Sequence, residues 1–392
     1  MRLPVKLASI FWIGFLAGNL QQLTHDVSVV NIEVPVRVYD GMRFVDSLTI
    51  NDFEVYENDV LQKLEALFLV RKTDVVNYFG GIPVVPDPIG QRPKVRLKED
   101  PAIKQRVLLL YFEMDEYPPQ TNEAIDYLVQ NVLIETDVVL IVTPNEQWKI
   151  TMSAENMTRR NELAEELKNR LTKALRKAGS YMRVMIRNLR DLAIYEDDFV
   201  KKRAMANDIL DQILTYKVMD EKRFTAFADF MKPVTGQKHV FIFYQEETYS
   251  FPEFILRDWE LKIFDRDSKI NKKLIEKIFS DAETTVHFIF LKKYKTAKGD
   301  VEYQENGAAF DAELNGDIYQ AFKNLAVTTG GIVEATYNPI FAMKRAADAA
   351  ENYYLLYYTP SSPSSKNTFK QIKVKVKSAN YRIIHRSGYV EK

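Results

Sequence analysis

The residues best suited to chemistry fall in two acidic clusters. Glu113, Asp115 and Glu116 close the stretch Arg106–Tyr117, which opens with the unbroken apolar run Val107 to Phe112. Gln245, Glu246 and Glu247 follow a second apolar run, His239 to Tyr244. Carboxylates brought close together either hold a cation or have their pKa values raised by mutual repulsion. Hard oxygen ligands of this kind suit Mg²⁺ or Ca²⁺. A pair of carboxylates can also perform hydrolysis, which makes a Glu113–Glu246 pair the enzymatic alternative. A solvated acidic rim with neither role is the reading that needs the fewest assumptions, and it is the one favoured.

Other chemistry is poorly supplied. The 392 residues contain no Cys, which excludes thiolate catalysis, a disulfide framework and a Cys-ligated zinc site. The four histidines, His25, His239, His287 and His385, are far apart in sequence. His239 and His287 enter apolar runs and read as core residues. There is no HExxH, no GxSxG and no glycine-rich phosphate loop. Lys+Arg and Asp+Glu both number 54, and the lack of excess positive charge argues against nucleic acid as the main partner.

A short apolar run ending in acid suits a strand buried on both faces that leaves a parallel sheet at its carboxyl edge, where ligands of open α/β sheets bind. The run Val107 to Tyr111 is followed by Thr121 to Leu133, whose Ala124, Ile125, Leu128, Val129 and Val132 recur at helical spacing. Further apolar strands are expected at Val138 to Val142, His239 to Tyr244, Val286 to Leu291 and Ile332 to Ala335. Trp148 to Met152 is expected as an antiparallel edge strand. Helices are expected from Thr158, as N-cap, to a stop at Gly179, then over Tyr181 to Leu192, Val200 to Tyr216, Asp317 to Val327 and Asn338 to Glu351. The basic stretch Arg159 to Arg190 reads as the solvated face of helices whose leucine stripe covers the sheet. Strands alternating with helices imply βαβ units and a mostly parallel sheet.

The two ends of the chain read differently. Asp26 to Val70 alternates like half-buried strands, and Phe369 to Lys377 alternates strictly, with lysines on the polar side. Neither set is large enough to be stable alone, so both ends are expected to build one β-sandwich around the α/β portion. The stretch 71–104, with five prolines by Pro101 and glycines at 80, 81 and 90, reads as a linker. Arg2 and Lys6 precede an apolar run from Leu7 to Gly18, the layout of a secretory signal peptide; an uncleaved N-terminal anchor is the alternative, and the one expected route to a membrane. The expected division is therefore 1–24 signal, 25–70 β segment, 71–104 linker, 105–351 α/β domain and 352–392 β segment pairing with 25–70.

Residues Val34 to Phe68, reading VPVRVYDGMRFVDSLTINDFEVYENDVLQKLEALF, and Tyr353 to Tyr389, with YYLLYYTPSS and FKQIKVKVKSANYRIIHRSGY, resemble the two ends of bacterial VWFA-related proteins of the acidobacterial type. The middle, from Arg106, resembles a von Willebrand factor A domain. The resemblance implies a Rossmann-like domain inserted in a small β-sandwich. It implies an exported protein, periplasmic, secreted or at the cell surface, that binds a protein or envelope component without catalysis. A structural role in an envelope assembly is the alternative. Such domains often carry a metal-ion-dependent adhesion site spelled DxSxS after the first strand, with a Thr and a further Asp. Here Glu113-Met114-Asp115-Glu116-Tyr117 stands in its place, Gln245, Glu246 and Glu247 stand after the fourth strand, and Thr225 falls in the region of the Thr. The implied site is degenerate; strands one and four are neighbours in the family's sheet order, so the resemblance implies Glu113, Asp115 and Glu246 as the ligands of a rebuilt Mg²⁺ or Ca²⁺ site, with Glu116, Tyr117 and Glu247 as the rim around it.

Overall fold

A computed structural model describes residues 32–72, 74–79, 82–84, 106–216, 221–234, 236–246, 248–252, 271–293, 309–313, 316–361, 368–377 and 380–390. The expected signal segment and the linker residues 85–104 lie outside them. The fold is mixed α/β, with several sheets.

The N-terminal half of the β portion comprises β1 (Ile32–Asp40), β2 (Arg43–Phe44), β3 (Phe53–Glu57), β4 (Val60–Gln62), β5 (Leu64–Arg71), β6 (Asp74–Phe79) and β7 (Ile82–Val84). Strands β6 and β7 occupy the start of the expected linker. The density of Pro and Gly obscures a run, Asp74-Val75-Val76-Asn77-Tyr78-Phe79, that is rich in β-branched and aromatic residues and extends the sheet beyond β5.

The α/β portion follows with β8 (Arg106–Glu113), β9 (Val138–Val142), β10 (Gln147–Thr151), β11 (Gln237–Gln245), β12 (Thr248–Pro252), β13 (Thr285–Leu291), β14 (Ala309–Glu313) and β15 (Val333–Thr336). Six of these form one sheet in the order β10-β9-β8-β11-β13-β15. All neighbours are parallel except β10, which runs antiparallel to β9. Every residue from Arg106 to Phe112 is buried, as a central strand covered on both faces requires.

One face of the sheet presents Leu108, Leu110 and Phe112 to the helices Thr121–Tyr127, Arg160–Tyr195 and Pro339–Glu351. The other presents Val107, Leu109 and Tyr111 to Glu221–Met231, Lys272–Asp281 and Gly316–Thr328. A single π turn, Leu128–Val132, continues the first helix, and Arg160 donates to the carbonyls of Gln130 and Leu133 at 2.8 Å, satisfying the chain where that turn ends.

The chain returns to β structure with β16 (Asn352–Tyr358), β17 (Phe369–Val376), β18 (Arg382–His385) and β19 (Gly388–Val390). One sandwich sheet runs β18-β1-β16-β5-β6-β7, with β2 attached to β1; the other runs β19-β17-β3-β4. Strands from both chain ends thus pair directly: Val36 with Tyr354 and with His385, and Val55 with Val374. Val34, Val36, Val38, Leu67, Leu69 and Leu356 of one sheet pack on Phe53, Val55, Ile372 and Val374 of the other. Lys370 departs from the expected polar face of β17. It lies at the inward register and is 7% exposed, with its ammonium 3.6 Å from Glu57. The Glu57 carboxylate also accepts from the hydroxyls of Tyr358 at 2.7 Å and Tyr389 at 3.0 Å. A charge inside the sandwich is tolerated because its lone pairs are taken.

The expected helix from Thr158 to Gly179 is longer and begins differently. Ser153 caps a short helix, Ala154–Thr158, and the helix that follows runs unbroken for 36 residues, about 54 Å at 1.5 Å per residue. Gly179 lies in its interior. A Cβ there would stand 1.8 Å from the Asp115 carbonyl oxygen, so the glycine permits close packing against the loop after β8 instead of ending the helix. The first half of this helix covers the sheet through Leu167, Leu171 and Leu175. The second half runs on beside the helix Phe199–Tyr216, and Met185, Leu189 and Leu192 pack with Leu210, Ile213 and Phe251 in a satellite core. Lys173, Arg176, Lys177, Arg183 and Arg187 of the basic stretch are exposed.

Candidate functional site

The carboxyl ends of β8, β11, β13 and β15 lie along one edge of the six-stranded sheet, because these strands are parallel and in register. Tyr244 pairs with Glu113, so Gln245 and Glu246 emerge beside the loop that carries Asp115 and Glu116. The Gln245 side-chain oxygen accepts from the backbone N–H groups of Asp115 at 3.3 Å and Glu116 at 3.1 Å, fixing the turn out of the sheet. From the other side, the Arg183 guanidinium donates to the Asp115 carbonyl at 3.4 Å.

The predicted acids are brought to one edge but have different partners. Glu113 accepts from the Tyr111 hydroxyl at 2.7 Å. Glu246 accepts from the backbone N–H of Lys293 at 2.8 Å, and its own N–H donates to the Leu291 carbonyl at 2.8 Å. Asp115 and Glu116 face the Lys293 ammonium, at 3.2 Å and 3.4 Å. The Lys293 and Asp115 side chains are 16% and 10% exposed, whereas Glu116 is 57% exposed. The charge pairing with Asp115 is therefore partly shielded from water, and that with Glu116 is at the surface.

Among the described residues, no three His, Asp or Glu side chains gather as a metal ion would need. Tyr117 belongs to the rim, with its hydroxyl donating to Asn122 at 2.8 Å and its pKa pushed up to about 12 by burial. The Thr225 hydroxyl donates to the Glu221 carbonyl one turn back in its own helix. Glu247 lies outside the described residues.

The residue that sequence reasoning misses is Lys293. Its signal is present in the chain: Lys292 and Lys293 follow an apolar strand directly, at the same exit position as the acids that leave β8 and β11. Their polarity alone assigns them to the start of a loop. Lys292 lies 5.7 Å above the Tyr337 ring, which follows β15, and Tyr337 and Phe341 are 46% and 38% exposed at the same edge.

The two strand histidines are core residues, as their position in apolar runs predicts. His239 Nδ1 lies 3.3 Å from His287 Nε2, and the Ile332 N–H points at His287 Nδ1 at 3.4 Å. That approach makes Nδ1 of His287 the acceptor and places its proton on Nε2, toward His239. Burial drives both imidazoles well below the ordinary histidine pKa, and the positive charges of Arg37 and Arg106 act on His239 in the same direction.

No family model matches the chain, and no curated protein matches it. Among solved structures, the chain is similar to the human COPII-coat protein Sec24c. The match has 8% identity and a TM-score of 0.29, and covers 74% of this chain and 43% of that one. The chain thus spans less than half the length of the Sec24c chain.

Proposed function

We propose that this chain is a non-catalytic binding module of the von Willebrand factor A type, exported, and directed at another protein or a component of the cell envelope. Its contact surface is the carboxyl edge of the six-stranded sheet. The observation that carries the reading is the collection at that edge of exposed Tyr337, Phe341 and Glu116 beside Lys292 and Lys293. The strand order β10-β9-β8-β11-β13-β15, with its single antiparallel edge strand, supports the assignment to that domain type. So does the sandwich built from both chain ends, in line with the resemblance of those ends.

The test is cross-linking capture from the envelope fraction of the native organism, comparing the wild type with Glu116→Ala/Tyr337→Ala/Phe341→Ala. These side chains are exposed, so the variant is expected to keep its fold, as judged by its melting temperature. Loss of a cross-linked partner with the fold intact supports the edge as the contact surface. Equal capture by both proteins overturns it and favours the second reading, a structural role in an envelope assembly.

A further inference from the structure

Of the three carboxylates suggested as metal ligands, Glu113 is taken by the Tyr111 hydroxyl, whereas Asp115 and Glu246 both meet one residue, Lys293. The geometry points to Lys293 as the built-in cation of the rim, a tethered ammonium that fulfils the role a divalent ion would otherwise take between the loops after β8 and β13. The inference concerns how this edge is held together. It rests on the reading of the edge as a binding surface only for its consequence, that partner contact there is independent of divalent metal.

Three observations converge on it. First, the ammonium reaches two carboxylates of one loop, Asp115 at 3.2 Å and Glu116 at 3.4 Å. A tethered charge does what a loop-bridging ion does, at no cost in recruiting it from solution. Second, the main chain of the same residue satisfies the third acid, since Lys293 N–H donates to Glu246 at 2.8 Å. One residue therefore engages acids that leave two other strands of the sheet, β8 and β11. Third, the acid loop is held in register by groups that are not ionic: the Gln245 side chain below it and the close approach of the helix at Gly179 behind it. The two carboxylates consequently remain presented to the same point when the ammonium is altered. A divalent ion entering this place must displace a positive charge that cannot diffuse away, and like charges at such range repel strongly where water is partly excluded. Lys293 thereby excludes the metal as well as substituting for it.

The experiment is Mn²⁺ titration followed by electron paramagnetic resonance, with melting temperatures in EDTA and in millimolar Ca²⁺. The proteins are the wild type, Lys293→Met, Lys293→Arg and Lys293→Met/Glu116→Gln. The wild type is expected to bind no Mn²⁺ at the rim and to melt at one temperature in both buffers. Lys293→Met is expected to melt lower in EDTA, to regain stability in Ca²⁺, and to bind one Mn²⁺ at least about tenfold more tightly than the wild type, a difference equivalent to about 1.4 kcal/mol. Lys293→Arg is expected to behave as the wild type, and Glu116→Gln to weaken the gained site. A wild-type protein that binds Mn²⁺ with a rise in melting temperature overturns the inference. So does a Lys293→Met protein that folds and responds to neither ion. Should Lys293→Met fail to fold, the wild-type and Lys293→Arg titrations decide alone, because metal binding by either contradicts a resident ammonium. These readouts involve no partner, so their failure is separate from failure of the binding-surface reading.

Discussion

Arg37 of the first sandwich strand donates from Nη1 to the carbonyl of Gly330 at 2.8 Å, across 293 residues of sequence, and its Nε donates to the carbonyl of Ala349. The guanidinium is fully buried and lies over the Tyr353 ring. It caps the carboxyl end of the Pro339–Glu351 helix, which passes into β16 without a connecting loop, and so joins the sandwich to the α/β sheet. Substitution Arg37→Met is expected to leave both carbonyls buried and unpaired and to cost about 3 kcal/mol or more. Urea denaturation followed separately by aromatic fluorescence and far-ultraviolet circular dichroism checks this; an unchanged midpoint refutes the role of Arg37 at the junction.

Stability is expected to fall on mild acidification. His239 and His287 are held neutral in the fold, well below the unfolded histidine value, and His385 is also lowered by burial. Below pH about 6.5 the unfolded chain takes up protons that the folded chain refuses, so stability is full above that pH and declines beneath it. Two protons give a slope approaching about 2.7 kcal/mol per pH unit. Asp348 and Glu351 act in the opposite sense and lower down: burial raises their folded pKa, so they favour the fold as pH drops through the carboxylate range. Urea midpoints between pH 7.5 and pH 5 should show the decline, and His239→Leu/His287→Gln should flatten it.

Gly179→Ala tests the close approach of the long helix to the acid loop. In an exposed helix interior this change stabilises by about 1 kcal/mol through backbone propensity. Here the new methyl group meets the Asp115 carbonyl, and the outcome is expected to be a loss of about 2 kcal/mol, in the range of overpacked cores. Ser180→Ala, exposed on the same helix, is the control. A melting temperature raised by Gly179→Ala would show that the loop yields freely.

The buried Glu57–Lys370 pair predicts an asymmetric result. Lys370→Met leaves Glu57 charged, with two tyrosine hydroxyls but no cation, and is expected to cost about 3–5 kcal/mol. Glu57→Gln/Lys370→Met removes both charges and should recover much of that loss. Chemical denaturation of the three proteins measures the coupling; additive losses would show that the two charges act independently.

Much of the sheet is legible in the chain because buried parallel strands are spelled as apolar runs. Arg106–Glu113, Val138–Val142 and Thr285–Leu291 could hardly be placed otherwise. The pairing of chain ends is legible from an argument about size, since neither end could bury its own face. Gly179 misleads because sequence reports that a Cβ is absent, not whether a turn or a neighbouring backbone requires its absence. The strand Asp74–Phe79 is hidden by the prolines and glycines that follow it. At the site, the acids are visible as a cluster, but their partner lies about 180 residues further on. Only the parallel register of β11 with β13 brings Lys293 to them. Charge partners across strand ends leave no periodic trace in the chain.

The antiparallel ladder of β1 with β18, Val36 opposite His385 and Tyr39 opposite Arg382, has a mechanical meaning. Nearly the whole described chain is contained between these two strands. Tension applied at Ile32 and His385 loads this ladder at the end where both strands are gripped, together with the β1–β16 ladder over Ile32 to Val36. Their hydrogen bonds would therefore break in sequence, rung after rung, at low force, before load reached the six-stranded sheet. The sandwich acts as a clasp in series with the chain ends, and the acid and lysine edge stays off the load path until that clasp has opened.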